Sequence, residues 1–253
     1  NNALTGRIAL SYTLPDDTLL YASFNRGYRA GAVNGGGYTS SAGISYIEPE
    51  RVNAYELGFK GRYFDRVLTL AAVLFYYDYT NQQLQDTRPG PVSFLVNTPK
   101  SEVYGAELEA TVKPSDGFAL NFSLGLLQTK YKELLLQGTD LSGNDLPFSP
   151  KLTAQAGFDW DVAELGGSKL TFSPNLNYAS RQYFSPFNTI NAVGSPQVNS
   201  ELQQKGFAKV NAALAWSNDS FTVRAWGNNL FNKKVYGYGL DLRGAGFPYN
   251  FLV

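Results

Sequence analysis

The sequence predicts an all-β fold: an antiparallel, up-and-down β-barrel wall that crosses a membrane. Three observations lead there. Tight polar turns centred near Asp16, Asp65, Asp116, Gly166 and Asn218 recur at gaps of 49, 51, 50 and 52 residues. Between them run longer connectors rich in Gly, Ser, Asn and Pro. The segments flanking each turn alternate apolar with polar residues, which is the period of a strand and not of a helix. Short turns at one end and long loops at the other are the sidedness that a bilayer imposes on a barrel, and a soluble sheet has no reason to sort its loops this way.

Ten strands account for the pattern. Arg7 to Leu14 sets Ile8, Leu10, Tyr12 and Leu14 against Arg7, Ala9, Ser11 and Thr13; a second strand, from Thr18 to about Arg29, follows Pro15-Asp16-Asp17. The third opposes Tyr55, Leu57, Phe59, Gly61 and Tyr63 to Glu56, Gly58, Lys60 and Arg62. The fourth, Val67 to Gln85, is rather apolar on both faces, and a one-residue bulge would hide its register. Tyr104, Ala106, Leu108, Ala110 and Val112 face away from Glu107 and Glu109 in the fifth, and Pro114-Ser115-Asp116-Gly117 is a favourable turn into the sixth. There Phe118, Leu120, Phe122, Leu124 and Leu126 oppose Asn121, Ser123 and Gly125. The remaining four carry their apolar faces on Leu152 to Val162, Leu170 to Tyr178, Ala208 to Trp216 and Phe221 to Ala225. Pro174 lies on the apolar face of the eighth and, lacking an N–H, implies a bulge or local unpairing. Strands of this length suit a bilayer, which about 9–11 tilted residues cross.

Aromatic residues gather at both ends of the strands. Tyr12, Tyr63, Phe64, Phe118, Trp160, Trp216 and Phe221 lie beside the short turns; Tyr28, Tyr76, Tyr77, Tyr79, Tyr131, Tyr178 and Tyr183 lie near the long loops. Two aromatic belts are what the two membrane interfaces select. The longest apolar run, Val67 to Tyr77, is too short for a spanning helix, which takes about 20 residues.

Composition removes several functional classes. The formal net charge is zero, so no nucleic-acid partner is expected. There is no cysteine, hence no disulfide framework and no thiolate ligand; there is no histidine, so neither Ser-His nor Asp-His machinery can be assembled. Asn1-Asn2-Ala3 is not a translational start, and the chain is expected to be a piece of something longer.

Several segments resemble the carboxy-terminal barrel half of TonB-dependent outer-membrane receptors. Tyr21-Ala22-Ser23-Phe24-Asn25-Arg26-Gly27-Tyr28-Arg29-Ala30-Gly31 is similar to one family stretch, and Glu48-Pro49-Glu50-Arg51-Val52-Asn53-Ala54-Tyr55-Glu56-Leu57-Gly58 to another. Tyr104-Gly105-Ala106-Glu107-Leu108-Glu109, Pro147-Phe148-Ser149-Pro150-Lys151 and Asn228-Asn229-Leu230-Phe231-Asn232-Lys233-Lys234-Val235-Tyr236 resemble three more, in the family's order. Within these, Gly58 and Gly105 are expected to relieve crowding in the sheet, and Asn229 with Asn232 to cap an outer loop. The resemblance implies a 22-stranded barrel, of which residues 1–253 would be one open, partial domain of about ten strands. The plug, the earlier strands and the closing strand would lie outside the chain. It further implies a bacterial outer-membrane location, active import of a scarce nutrient such as a ferric siderophore, and no enzyme activity or cofactor. The implied partners are outer-membrane lipid, the receptor's own plug and the energy-transducing TonB protein.

In such a receptor the ligand meets outer loops and the upper wall. Here the loops are roughly Ala30–Pro49, Asp86–Pro91, Lys132–Pro150, Phe184–Gln204 and Leu230 onward. Arg29, Tyr38, Tyr46, Arg88, Tyr183, Phe187, Tyr238 and Arg243 would supply cationic and aromatic contacts to an iron chelate. Glu56, Lys60, Arg62, Glu107 and Glu109 are expected to line the lumen, which explains their polarity without a catalytic carboxylate pair. Asp140, Asn144 and Asp145 lack the full calcium pattern, and no metal site is expected. Two other architectures are weighed: a complete passive porin or similar barrel of about ten strands, and a soluble kelch-like propeller. The propeller needs four short strands per repeat of about 50 residues, whereas each repeat here holds two long ones.

Overall fold

The computed structural model describes residues 3–34, 44–88, 92–191, 201–241 and 250–253. Its main body is a single ten-stranded sheet of antiparallel neighbours in chain order. We number its strands β1 (Gly6–Thr13), β2 (Leu19–Arg29), β3 (Glu50–Tyr63), β4 (Leu68–Arg88), β5 (Val92–Ser115), β6 (Phe118–Glu133), β7 (Leu152–Leu165), β8 (Ser168–Ala179), β9 (Phe207–Ser217) and β10 (Thr222–Gly227). The sheet is open: among the described residues β1 and β10 have no partner on their far sides. Four two-stranded ribbons decorate the long-loop end, pairing Ala32–Asn34 with Ser45–Ile47, Leu135–Leu136 with Thr139–Asp140, Gln182–Tyr183 with Gln203–Gln204, and Gly239–Asp241 with Asn250–Leu252.

All five polar turns join hairpin neighbours, and their chemistry is local. Asp17 has φ 62°, and Phe64, Asp65 and Arg66 all have positive φ. Gly117 (φ 75°) turns β5 into β6, and Gly166-Gly167 (φ 57° and 78°) turn β7 into β8, positions where a Cβ would be strained. At the last turn the Asn218 carboxamide oxygen accepts from the N–H groups of Ser220 and Phe221.

Register converts the alternation into two chemically distinct faces. Tyr12, Leu20, Phe59, Ala72, Leu108, Leu124, Ala154, Tyr178 and Ala208 form one cross-strand row from β1 to β9. Leu19, Lys60, Ala71, Glu109, Ser123, Gln155, Asn177 and Lys209 form a row of the opposite parity. Large apolar side chains such as Leu57, Leu74, Leu126 and Trp160 are exposed on the first face, which water would not favour and lipid would. The second face is polar, and its side chains bond to one another. Thr111 donates to Asn121 (3.1 Å), Asn121 to Asp159 (3.3 Å) and Ser173 to Asp159 (2.6 Å), while Asn211 and Asn177 both donate to Asn175. Glu56, Lys60, Arg62, Glu107 and Glu109 share this polar face, as expected.

β4 needs no bulge. Its pairing runs without a register shift from Leu68 to Thr80 with β3 and from Leu68 to Arg88 with β5, placing Leu68, Leu70, Ala72, Leu74 and Tyr76 outward and Val73, Phe75 and Tyr77 inward. Phe75 fills space left by a glycine, its ring lying over Gly105 as the Tyr21 ring lies over Gly58, while the Tyr77 hydroxyl donates to Glu56 Oε1 at 2.9 Å. A Cβ on Gly105 would meet the Leu126 carbonyl oxygen and sit 2.7 Å from Phe75 Cζ. Gly105→Val is therefore expected to destabilise the wall by about 1–3 kcal/mol through overpacking, read as a shift in the midpoint of denaturant unfolding.

Two sequence expectations change, the start of β5 and the second aromatic set, while the local unpairing expected at Pro174 is found. β5 starts at Val92, far upstream of Tyr104, because the Pro99 that argues against a strand sits at a skipped rung opposite Asn81 (φ 53°); pairing continues on either side, Thr80 with Lys100 and Gln82 with Thr98. Pro174 leaves the β9 ladder intact and opens the β7 side, where no rung is formed between Gly157–Asn175 and Trp160–Phe172. The second aromatic set divides: Tyr28, Tyr76 and Tyr178 face outward, Tyr77 and Tyr79 face inward, and Tyr131 is buried under a loop. The outward row at that level is completed by Phe24, Tyr55 and Tyr104, with ring centroids 5.1, 6.4 and 6.4 Å apart along Phe24–Tyr55–Tyr76–Tyr104.

A candidate ligand site beneath the outer loops

β4 and β5 run well past their neighbours, and the loop after β6 folds back on this extension. Gln137 and Gly138 both have positive φ and close a two-residue hairpin between Leu135–Leu136 and Thr139–Asp140. The Gln137 carboxamide donates to Asp86 Oδ1 at 2.8 Å, fastening the hairpin to β4. Beneath it Tyr131, Leu134, Leu136, Leu141 and Phe187 form a buried cluster, with Leu84, Val96 and Leu146 packed against it. Leu141 is fully buried.

Asn188 latches this loop to the next one. Its side-chain N–H donates to the Asp145 carbonyl and its carboxamide oxygen accepts from the Asp145 N–H, both at 2.9 Å. Asn144 adds a bond to the Pro186 carbonyl, also at 2.9 Å. Further on, Asn229 takes φ 52° and holds Lys233 by two bonds between its carboxamide and that residue's backbone, while Asn232 takes φ 49°, the loop-start cap that the sequence suggests.

Asp140, Asn144 and Asp145 serve these loops separately. The hydroxyl and N–H of Ser142 hold the Asp140 carboxyl below the usual carboxylate range, and Asp145 pairs with Lys151 at 3.1 Å. Among the described residues no group of three or more acidic, histidine or cysteine side chains could hold a metal ion.

A cavity of about 370 Å³ opens between the loops and the β4 extension, within the range of small-molecule sites. Its walls are aromatic and apolar on the loop side (Phe148, Phe184, Phe187, Tyr238, Leu146) and polar on β4 (Gln82, Gln83, Gln85, Asp86). Phe148 is the centre of the aromatic wall: its ring is parallel to that of Tyr238 within 10° at 6.4 Å, and lies 5.6 Å from that of Phe184. Three loops meet here through hydrogen bonds as well, Phe148 N–H donating to the Tyr183 carbonyl and Tyr236 N–H to the side-chain Oε1 of Gln204. Among the described residues the lining carries no lysine or arginine.

The eight residues singled out from sequence distribute unevenly. Phe187 and Tyr238 line the cavity, and Tyr183 abuts it through its carbonyl while its ring faces Arg181 at 5.2 Å. Arg29 and Tyr46 are exposed elsewhere, Tyr46 on the ribbon after β2 with 81% of its surface accessible. Arg88 ends β4, its backbone paired with Val92 and its side chain outside the described set; Tyr38 and Arg243 lie outside the described residues. Sequence reasoning missed Phe148, Phe184 and the β4 glutamines. For Phe148 a signal existed in its place between Pro147 and Pro150, which restrict the turn that carries it, and in the structure it takes φ 57°.

Known proteins share the fold of this wall. The chain is 24% identical over 247 residues to the pesticin receptor of Yersinia pestis, covering 94% of this chain and 33% of that protein. It is 25% identical over 228 residues to a ferric-pyoverdine receptor of a Pseudomonas strain, covering 89% and 25%. The chain thus spans about a third or less of the curated relatives it matches. Among solved structures, the ferric yersiniabactin uptake receptor of Yersinia pestis superposes with a TM-score of 0.72 at 22% identity, over 94% of this chain and 33% of that one. A copper transporter, OprC, superposes with a TM-score of 0.67 at 17% identity, over 90% and 34%. Residues 1–230 match the family model described as TonB dependent receptor-like, beta-barrel. With a ten-stranded meander, a lipid-facing and a polar face, and a loop-covered outer end, the chain belongs to the TonB-dependent receptor β-barrel family, a wall segment of a bacterial outer-membrane receptor and not an enzyme.

Proposed function

We propose that the intact receptor captures a metal chelate of the ferric-siderophore class in the cavity beneath the outer loops and imports it. Residues 1–253 form one domain of barrel wall, ten strands of a 22-stranded barrel. Transport is completed by a plug and by energy delivered through TonB. The observation that carries this reading is the aromatic wall centred on Phe148, which faces a row of glutamines on β4. Planar aromatic surfaces with a few convergent polar groups suit a chelate of mixed character. Phe148, Phe187 and Tyr238 are the direct contacts in this proposal, with Arg29, Tyr38, Tyr46, Arg88, Tyr183 and Arg243 on the outer approach. Relatives that carry ferric-siderophore names support the ligand class, and the copper transporter among the structural neighbours makes copper complexes a necessary control.

The test is binding of a panel of ferric siderophores and copper complexes to the intact receptor, followed by uptake of the radiolabelled metal. One ferric chelate is expected to bind, and Phe148→Ala with Tyr238→Ala to weaken it at least about tenfold, one aromatic contact being worth roughly 0.5–1.5 kcal/mol beyond its buried area. Unchanged affinity in that double variant would remove the cavity from the mechanism.

A further inference from the structure

The polar inner face holds a second cavity, of about 500 Å³, over β6 to β10, with no lining residue in common with the cavity beneath the outer loops. Its floor includes the stretch where the β7–β8 ladder lacks rungs: Gly157, Phe158, Asp159, Ser173, Pro174 and Asn175 all line it. Pro174 has no N–H to give, so the main-chain groups at this level are not all spent on the ladder and can meet a ligand. The side chains are half-used as well. Asn175 Oδ1 accepts from both Asn177 and Asn211, while the Asn175 amide nitrogen has no acceptor among the described residues. Asp159 accepts from Asn121 at 3.3 Å and from Ser173 at 2.6 Å, one bond to each carboxylate oxygen, which leaves lone pairs on both. Gln155, Arg224 and Asn228 are exposed, and their side chains make no hydrogen bond or ion pair among the described residues.

One lining residue does not suit a polar wall. Trp226 pairs with Ala213 and so points inward, with 70% of its surface exposed. The other tryptophans, Trp160 and Trp216, face lipid in the short-turn belt. A polar lumen explains the amides around Trp226 but not the indole, whose exposure to water is unfavourable. Charge then narrows the ligand class. Asp159 and Arg224 are the ionic residues of the lining, one of each sign, so neither an anion nor a cation is favoured. Amide side chains both donate and accept, and a ligand that answers both with small groups carries hydroxyls. A flat indole suits the C–H face of a ring with hydroxyls at its edge, and the Arg224 guanidinium fork spans two neighbouring oxygens. The volume is in the range of small-molecule sites. Trp226 stands three residues along β10 from Val223, the partner of Trp216, which is about 10 Å along the strand and about 7 Å in height above the short-turn belt.

We propose that this inner-wall cavity binds a neutral, polyhydroxylated ring ligand of the saccharide class, stacked on Trp226, with Arg224, Asp159 and the Asn175–Asn211 amides on its hydroxyls. The site is reached through the lumen and needs nothing from the cavity under the outer loops, so saccharide binding and chelate binding are read separately.

The test is saturation-transfer NMR on the intact receptor, in a detergent without a sugar headgroup, with maltose, citrate and hexanediol as separate probes. Maltose is expected to receive saturation, most strongly at its ring C–H protons, and the other two to receive little. Trp226→Leu and Arg224→Gln are each expected to lower maltose affinity at least about tenfold. Trp216→Leu, which removes a lipid-facing indole, is expected to change nothing. Absence of transfer to maltose, or full transfer in Trp226→Leu, would overturn the assignment. Equal transfer to citrate or to hexanediol would overturn it too, showing an anion site or an unselective apolar one. So would a Trp226 ring already shielded from hydroxyl radicals in the ligand-free receptor, since the plug would then be the occupant. Heat-modifiable gel mobility checks that the variants are folded, and Trp226→Phe, which keeps a stacking face and should retain part of the affinity, gives a second reading should Trp226→Leu misfold.

Discussion

Phe187→Ala is expected to unfasten the outer loops while leaving the wall intact. The ring is buried in a cluster with Tyr131, Leu134, Leu136 and Leu141, none of which belongs to the same loop. Truncating a buried phenylalanine costs roughly 3–5 kcal/mol where the surroundings cannot collapse, and here the neighbours are held by their own backbone bonds. Leu141 N–H donates to the Leu134 carbonyl, Gly143 N–H to the Tyr131 carbonyl and Tyr131 N–H to the Asn144 carbonyl. These three amides report the opening of the cluster, and their hydrogen exchange in the intact receptor should accelerate by about 100-fold or more. Leu135→Ala is the matched control, because Leu135 lies on the same hairpin but is 70% exposed. Because Phe187 also forms part of the cavity wall, ligand affinity should fall in step with exchange. Protection that survives in Phe187→Ala would mean that the cluster is not what holds the loops.

Leu108→Arg should cost roughly 2–4 kcal/mol if Leu108 sits at the bilayer midplane, whereas Glu107→Arg should change stability by about 0.5 kcal/mol or less. The two residues are adjacent in β5 and differ only in face. Leu108 is paired with Ala72 and Leu124, inside the apolar row; Glu107 is paired with Val73 and Gly125, on the polar face. Reversible denaturant unfolding of the intact receptor from lipid vesicles measures both. Equal penalties would contradict the assignment of the faces.

Much of the wall was legible because its determinants are local. A turn residue such as Gly117 or Asn218 acts on its own neighbours, and the alternation through Tyr104 to Val112 needs only the residues within that strand. The same locality explains the failures. β4 looked ambiguous because Phe75 packs against Gly105, a residue thirty positions away that only register brings opposite it. The start of β5 was hidden by Pro99, whose missing N–H is harmless only because the opposing Asn81 adopts a positive φ. The cavity was least legible of all. Phe148, Phe184 and Tyr238 come from three loops, each irregular in sequence, and nothing periodic announces that they meet. Phe187 and Tyr238 could be proposed as outer aromatic residues, but that Phe187 serves first as loop core follows from long-range packing.

The reach of the β4–β5 hairpin sets where the molecule first meets its cargo. From Tyr76 at the aromatic girdle to Leu84 beside the cavity is eight residues, paired with β5 except at the Asn81–Pro99 rung, about 27 Å along the strand and about 20 Å in height at a 45° tilt. The docking point therefore stands clear of the lipid surface, on a stiff two-stranded mast. A chelate arriving from the medium can be held there before it reaches the membrane surface, and thinning or disorder of the bilayer has little leverage on the geometry of capture.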